Sequence, residues 1–402
     1  MKRFLLIFIA MVMAVTVVGC GSETSKNSAS GSAVTFDGDS SGGSGNKPSE
    51  PERTYKTEKY SNPLRFHKRD GSEYLVTAAD PDVYRDDASG YFYMYCTNTY
   101  CEMGSKGMQF DRGPIFRSKN LVDWTWVGSV FADSPDALSW HDKDAGVWAP
   151  SVIKVGNRYN YYYSLSLWGD DNPGIGVATA PTPYGPWTHY GKLLDSKMTG
   201  VKNGIDPQPF YDGEQLYIIW GSFFGIACTP LTDDGTEVFY GDNVKEHITY
   251  LIADNTDGGM DIDINYEGSY VVEHDGKLYY FGSQGTCLDG VNSTYRVRAG
   301  VADKFLEPFK THDGKLLSQT PYGEEVISPS DKVAGVGHNT VVVDFAGNYW
   351  LFYHGFDIEG ERPTERIPFM DKILWDENGM PYVEGRKASV RVEKQGPVVV
   401  NF

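Results

Sequence analysis

The sequence predicts an all-β chain folded as a five-bladed β-propeller with a site at its central channel. Three observations carry the prediction: composition, one hairpin pattern that occurs five times, and the spacing between its copies. The 402 residues include 27 Tyr, 20 Phe, 9 Trp and 45 Gly. That mixture favours strands and turns over helices, and the length is ample for a large core.

The chain opens with a targeting segment. Lys2 and Arg3 precede the apolar run "FLLIFIAMVMAVTVV", which ends in "VVGC". The run is short and wrongly flanked for a stable membrane span. A small Gly before Cys20 matches a bacterial lipoprotein cleavage box, with Cys20 as the acylated residue; an ordinary signal peptide or anchor is the alternative. Residues 1–20 are therefore read as a lipoprotein signal peptide. Residues 21–54 are Ser/Gly-rich and cannot bury apolar surface, so a disordered tether is expected. The folded domain is assigned to residues 55–402. The protein is expected to be exported and held at the cell surface, with lipid on Cys20 as its one membrane contact.

The formal net charge is −18. Such a surface repels nucleic acid and anionic membrane faces, and a neutral partner fits better than a polyanion. No Walker loop, no GxGxxG after a strand and no CxxC zinc pattern is present. A monomer is expected. After Cys20 four cysteines remain: Cys96, Cys101, Cys228 and Cys287. Cys96 and Cys101 are close enough in sequence to pair, and free buried thiols are the equal alternative.

The five copies read, in order, "DPDVYRDDASGYFYMYCT" from Asp80, "APSVIKVGNRYNYYYSLS" from Ala149, "DPQPFYDGEQLYIIWGSF" from Asp206, "EGSYVVEHDGKLYYFGSQ" from Glu267 and "HNTVVVDFAGNYWLFYHG" from His338. Each has a leading residue, a short apolar strand, a turn with Gly and an aromatic-rich strand, which is a hairpin signal. The starts lie 69, 57, 61 and 71 residues apart. That interval is longer than common propeller repeats and leaves room for two more strands per copy. A β-sandwich would not explain five matched hairpins. The run Tyr161, Tyr162, Tyr163 reads as alternating strand packing.

In a propeller the first strand of each blade lines the channel, so its leading residue sits at the channel mouth. Asp80, Asp206, Glu267 and His338 are expected to hold equivalent places in four blades, with Ala149 in the fifth. An Asp before a strand is often only a turn former; three acids and a His at one repeat position point to chemistry. Separated carboxylates over a neutral, polyhydroxylated ligand suggest glycoside hydrolysis, where one acid protonates the leaving oxygen and another activates water or attacks carbon. A third carboxylate beside the acid raises its pKa and keeps it protonated near neutral pH. Trp148 and Trp168 are candidate sugar platforms, with core packing the alternative. Asn203 and Ser222 are candidates to line the same site.

These residues carry a resemblance. "ADPDV", "VWAPSV", "YYYSLSLWG", "NGIDP", "YEGSYV", "CLDGVNSTYRVRAG", "GVGHNTVVV" and "IPFMDKILWDENGMPYV", in this order over roughly residues 76 to 385, resemble glycoside hydrolase family 43 and within it the arabinan endo-1,5-α-L-arabinosidases. The resemblance implies Asp80 as general base, Asp206 as pKa modulator, Glu267 as general acid and Trp168 as an active-site aromatic. It also implies that His338 faces a metal and its waters in the channel. Calcium with mostly water ligands suits a lone His. Two departures stand out: Ser151 occupies a position usually Asp, and "RVRAGVADKF" lacks a Gly-Arg-Ser, which bears on a substrate subsite.

Family members invert configuration, which requires a water between base and sugar and carboxyls about 6.5–9.5 Å apart rather than about 5–5.5 Å. The retaining levansucrase–invertase group carries an Arg-Asp-Pro box where this chain has Ile205, Asp206 and Pro207. The expected activity is endo-cleavage of arabinan. The alternatives are an exo-acting arabinofuranosidase or β-xylosidase of the same family, and a surface lipoprotein that captures glycans without catalysis.

Overall fold

The computed structural model describes residues 53–254, 256, 259–319 and 323–402. Cys20, the signal peptide and the expected tether up to residue 52 lie outside these residues. At the start of the described residues the Arg53 guanidinium donates to the Asp87 carbonyl at 2.6 Å.

Five sheets of at least four strands form the five blades, each ordered outward from the strand that opens one of the five hairpins. The inner strands are Asp82–Asp86, Gly146–Val155, Gln208–Asp212, Glu267–His274 and Val333–Val343. Blade one departs from the four-strand expectation. Its outer strand Asp123–Ser129 takes a parallel partner, Arg65–His67, which in turn pairs with Glu73–Tyr74. The added strands cover an edge that would otherwise present unpaired backbone groups. Strand Tyr55–Tyr60 pairs with the last strand, Lys394–Val400, bringing both ends of the domain together.

The core is a set of five seams between blades rather than one centre. The seam between blades five and one joins Phe92, Phe116 and Trp124 to Trp350, Phe352 and Val399. The other four clusters join blades one and two, two and three, three and four, and four and five. The tyrosine run shows how period-two alternation builds them. Tyr161 and Tyr163 face the seam toward blade one, while Tyr162 faces blade three. All three are fully buried. Each such ring removes roughly 150–250 Å² from water.

Among the described residues the α-helix is a single turn, Ser196–Thr199, and no helix is long and apolar enough to cross a membrane. Cys96, Cys101, Cys228 and Cys287 are free thiols, the first three buried.

Candidate active site

The repeat position is built by backbone strain. Asp80, Ala149, Asp206 and His338 have φ of 55°, 40°, 63° and 49°, a left-handed conformation that costs a non-glycine residue energy. In blade four the equivalent residue is Gly268, with φ of 58°, and not Glu267. The registers agree. Glu267 lies opposite Ser283 as Trp148 lies opposite Ser164 and Gly337 opposite His354, each just before a bulge. The expected equivalence of Glu267 with Asp80, Asp206 and His338 is therefore corrected by one residue. Glycine is favoured at 268, because a Cβ there would stand 3.1 Å from the His338 ring, closer than ordinary contact.

Hydrogen bonds from one blade to the next hold the strained residues. The Ala149 N–H donates to Thr97 Oγ1 at 2.9 Å, the Asp206 N–H to Ser164 Oγ at 2.9 Å and the His338 N–H to Ser283 Oγ at 2.8 Å. The Asp80 N–H donates to His354 Nδ1 at 3.2 Å. These four acceptors sit at or just beyond the second strand of the preceding blade. In blade four the Gly268 N–H donates instead to Asp206 Oδ2, at 3.2 Å. One layer deeper, buried Asp82 accepts from Thr340 Oγ1 at 2.8 Å, Ser151 Oγ at 3.3 Å and the Val152 N–H at 2.9 Å. Burial pushes Asp82 up to about 6. A carboxylate at 151 would add a like charge beside it, which gives Ser151 a physical reason.

Asp80 lies in the channel lining with Asp206 and His338. Its Oδ2 accepts the Thr97 hydroxyl. Its Oδ1 is 3.2 Å from His354 Nδ1, 3.4 Å from His338 Nδ1 and 3.4 Å from the Arg366 guanidinium. Burial by itself would raise this carboxyl; His338, Arg366 and His354 outweigh it and hold Asp80 well below the usual carboxylate range. Burial lowers both imidazoles, His354 to about 4. At neutral pH the standing positive charge against Asp80 is therefore that of Arg366.

Glu267 and Asp206 are perturbed the other way. Burial raises Glu267 to about 7, against the pull of Ser222 and Tyr295 and with the push of the Asp80 charge. Both hydroxyls donate to it at 2.7 Å, Ser222 to Oε2 and Tyr295 to Oε1. Asn203 Nδ2 donates to Ser222 Oγ at 2.8 Å. Ser222 is fully buried and its hydroxyl is committed to Glu267, so the structure places Asn203 and Ser222 as a relay that orients the carboxyl. Asp206 is raised by burial first, then by the charges of Glu267 and Asp80, with the Gly268 N–H opposing. The like-charge effect expected of Asp206 on the acid comes to Glu267 from Asp80 instead, and Asp206 is itself raised by Glu267 and Asp80.

Trp168 is 81% exposed and follows the second strand of blade two. Its ring meets that of half-buried Trp148 edge to face, with centroids 6.4 Å apart. The two form one aromatic corner. Arg366, His354, Tyr295 and Thr97 were not singled out by the sequence. His354 lies in the fifth hairpin and Tyr295 in a family-like segment, but nothing in one sequence says which second-strand residue reaches a neighbouring blade.

The sequence profile described as "Glycosyl hydrolases family 43" matches residues 74–381. The chain belongs to glycosyl hydrolases family 43. As a family 43 chain it is a glycoside hydrolase. It is 25% identical over 298 residues to the extracellular exo-α-(1→5)-L-arabinofuranosidase of Cellvibrio japonicus, covering 69% of this chain and 83% of that one. It is 30% identical over 288 residues to a probable arabinan endo-1,5-α-L-arabinosidase A of Neosartorya fischeri, covering 69% and 82%. Among solved structures it is similar to a Cellvibrio cellulosa α-L-arabinanase complexed with arabinohexaose. That likeness has a TM-score of 0.64 at 22% identity and covers 78% of this chain and 96% of the other. It shows the propeller fold.

Proposed function

We propose that this family 43 enzyme hydrolyses internal α-1,5-L-arabinofuranosidic bonds of arabinan with inversion. Asp80 is the general base, Glu267 the general acid and Asp206 the modulator. The observation that carries the reading is the divergence of two carboxyls in one site. Asp80 is held ionised by Arg366, and Glu267 is held near 7 by burial. A pair of titratable groups pushed apart in this way marks acid and base. Relatives named for endo- and exo-cleavage of α-1,5-arabinan support the substrate, and the names that include "extracellular" support export.

In the proposed step Glu267 gives its proton to the leaving glycosidic oxygen as the bond to the anomeric carbon breaks. Asp80 takes a proton from a water that attacks that carbon from the opposite face. The Thr97 hydroxyl and Arg366 fix the orientation of Asp80; Ser222 and Tyr295 fix that of Glu267. Trp148 and Trp168 offer apolar faces to the sugar rings, and the exposure of Trp168 suits an open groove and the endo mode. The test is a time course on linear debranched arabinan, with xylan in parallel. An early spread of arabino-oligosaccharides is expected. Arabinose alone from the start would indicate exo-cleavage, and product from xylan alone would overturn the substrate.

A calcium ion near His338, held largely through water, is part of the proposal. The fit rests on the channel lining: buried Asn339, next to His338, has neither amide atom hydrogen-bonded, and burial keeps the His338 imidazole unprotonated. Bound there, calcium would add fixed positive charge to the channel. Calorimetric titration of chelator-treated enzyme with Ca²⁺ is expected to show one site, lost in His338→Ala. Absence of heat in the parent enzyme would remove the ion from the proposal.

A further inference from the structure

Between the second and third strands of blade one the chain forms a separate two-stranded hairpin, Thr99–Glu102 with Met108–Asp111. Its two faces are unequal. Thr99, Cys101 and Asp111 are buried. Asp111 fixes that face to the outer strand of blade one: Oδ2 accepts the Trp126 indole N–H at 3.0 Å, and Oδ1 accepts the Ser129 hydroxyl at 2.5 Å and the Gly113 N–H at 3.0 Å. The opposite face carries Tyr100 and Phe110, directly paired across the strands, with Met108 two residues on. These three are 65%, 48% and 49% exposed, and the two rings lie 5.3 Å apart. A half-buried hairpin ordinarily turns its apolar side inward. Here carboxylate and threonine are inside and aromatics face water, so this patch has a use outside the fold.

The patch stands close along the chain to the candidate active site. Thr97, whose hydroxyl donates to Asp80, stands three residues before Tyr100. Even a fully extended chain keeps their Cα atoms within about 11 Å. Between them Asn98 exchanges two hydrogen bonds with Val147: its N–H donates to the Val147 carbonyl at 2.9 Å, and its Oδ1 accepts the Val147 N–H at 2.8 Å. Val147 precedes Trp148, which meets Trp168. The exposed pair is thereby tied through Asn98 and Val147 to the strand that carries Trp148, and through Thr97 to Asp80.

We infer that the Tyr100–Phe110 face is a distal subsite that binds the polysaccharide chain beyond the residues being cleaved. The inference rests on the proposed glycan substrate. Flat rings fixed on a strand pair bind the apolar faces of sugars at little entropic cost, and a formal charge of −18 favours a neutral chain over an anionic membrane as the occupant. The subsite would give the enzyme a preference for long chains.

The test compares kcat/KM on linear arabinan with kcat/KM on arabinotriose for the parent enzyme, Tyr100→Ala/Phe110→Ala, and Tyr100→Phe/Phe110→Tyr. The polymer-to-trisaccharide ratio is expected to fall about tenfold in the alanine variant, the factor for uncovering on the order of 55 Å² of apolar contact. The aromatic exchange is expected to keep it. An unchanged ratio, or an equal loss on both substrates, overturns the subsite. So does an alanine variant that loses only vesicle binding or self-association. Gel retardation by soluble polysaccharides separates this from the substrate reading. An enzyme inactive on arabinan, yet retarded by another neutral glycan through Tyr100 and Phe110, would refute the substrate and leave the platform in place.

Discussion

Glu267→Gln is expected to lower kcat on arabinan by about 10²–10⁴-fold, the usual contribution of a positioned acid. On an aryl arabinofuranoside with a good leaving group most of the rate should return, because that departure needs no proton. Asp80→Asn should lose a comparable factor on both substrates, since water activation is needed whatever leaves. The pH profile gives a second reading of the same pair. In the proposed mechanism Glu267 must be protonated, and it is held near 7, so kcat/KM of the parent enzyme should decline as pH rises through about 7. Asp80 is held well below the usual range, so the acidic limb lies far lower. In Glu267→Gln acting on the activated substrate the limb near 7 should be absent. Retention of full activity on arabinan by Glu267→Gln would reject it as the acid. Circular dichroism must accompany Asp80→Asn, because the substitution leaves the Arg366 guanidinium without its carboxylate.

Asp206→Asn is expected to move activity and stability in opposite directions. The carboxyl is buried, raised by burial and by the charges of Glu267 and Asp80, and accepts the Gly268 N–H. An amide oxygen can keep that hydrogen bond without the charge. Glu267 and Asp206 share one buried site and titrate together, so replacing one of the two carboxyls should displace the limb near 7, and kcat at neutral pH should fall, by about 10²-fold where proton donation limits. A carboxyl whose folded pKa is raised supports the fold below its unfolded pKa and loses that support as pH rises through the folded one. The parent enzyme therefore carries a penalty at pH 7–8 that Asp206→Asn lacks, about 1.4 kcal/mol for each tenfold difference in proton affinity between the folded and unfolded chain. Tm of the variant should exceed that of the parent, by more at pH 8 than at pH 5. A lower Tm at pH 8 would mean that Asp206 is held by favourable contacts and not by the constraint of function.

The five hairpins were legible because each is local. A period-two run, a glycine turn and a second aromatic run lie within about twenty residues, and pairing across a short turn is set by neighbours in sequence. The three carboxyls and His338 were legible because they recur at nearly the same place in those hairpins. The same reading misplaced Glu267 by one position. Letters show that Glu-Gly replaces Asp-Pro, but only φ shows that Gly268, not Glu267, takes the left-handed position.

The sequence by itself determined the blade count, the all-β class, the order of the functional boxes and the residues that carry charge into the channel. All of these follow from contacts between residues near in sequence. The tertiary structure alone decided which carboxyl is pushed down in pKa and which are pushed up. Arg366 of blade five reaches Asp80 of blade one across 286 positions, and Ser222 of blade three reaches Glu267 of blade four across 45. Those contacts exist only once neighbouring blades pack, because each joins side chains of two blades. Burial, the largest influence on Glu267 and Asp206, is likewise a property of the closed ring and of no single strand.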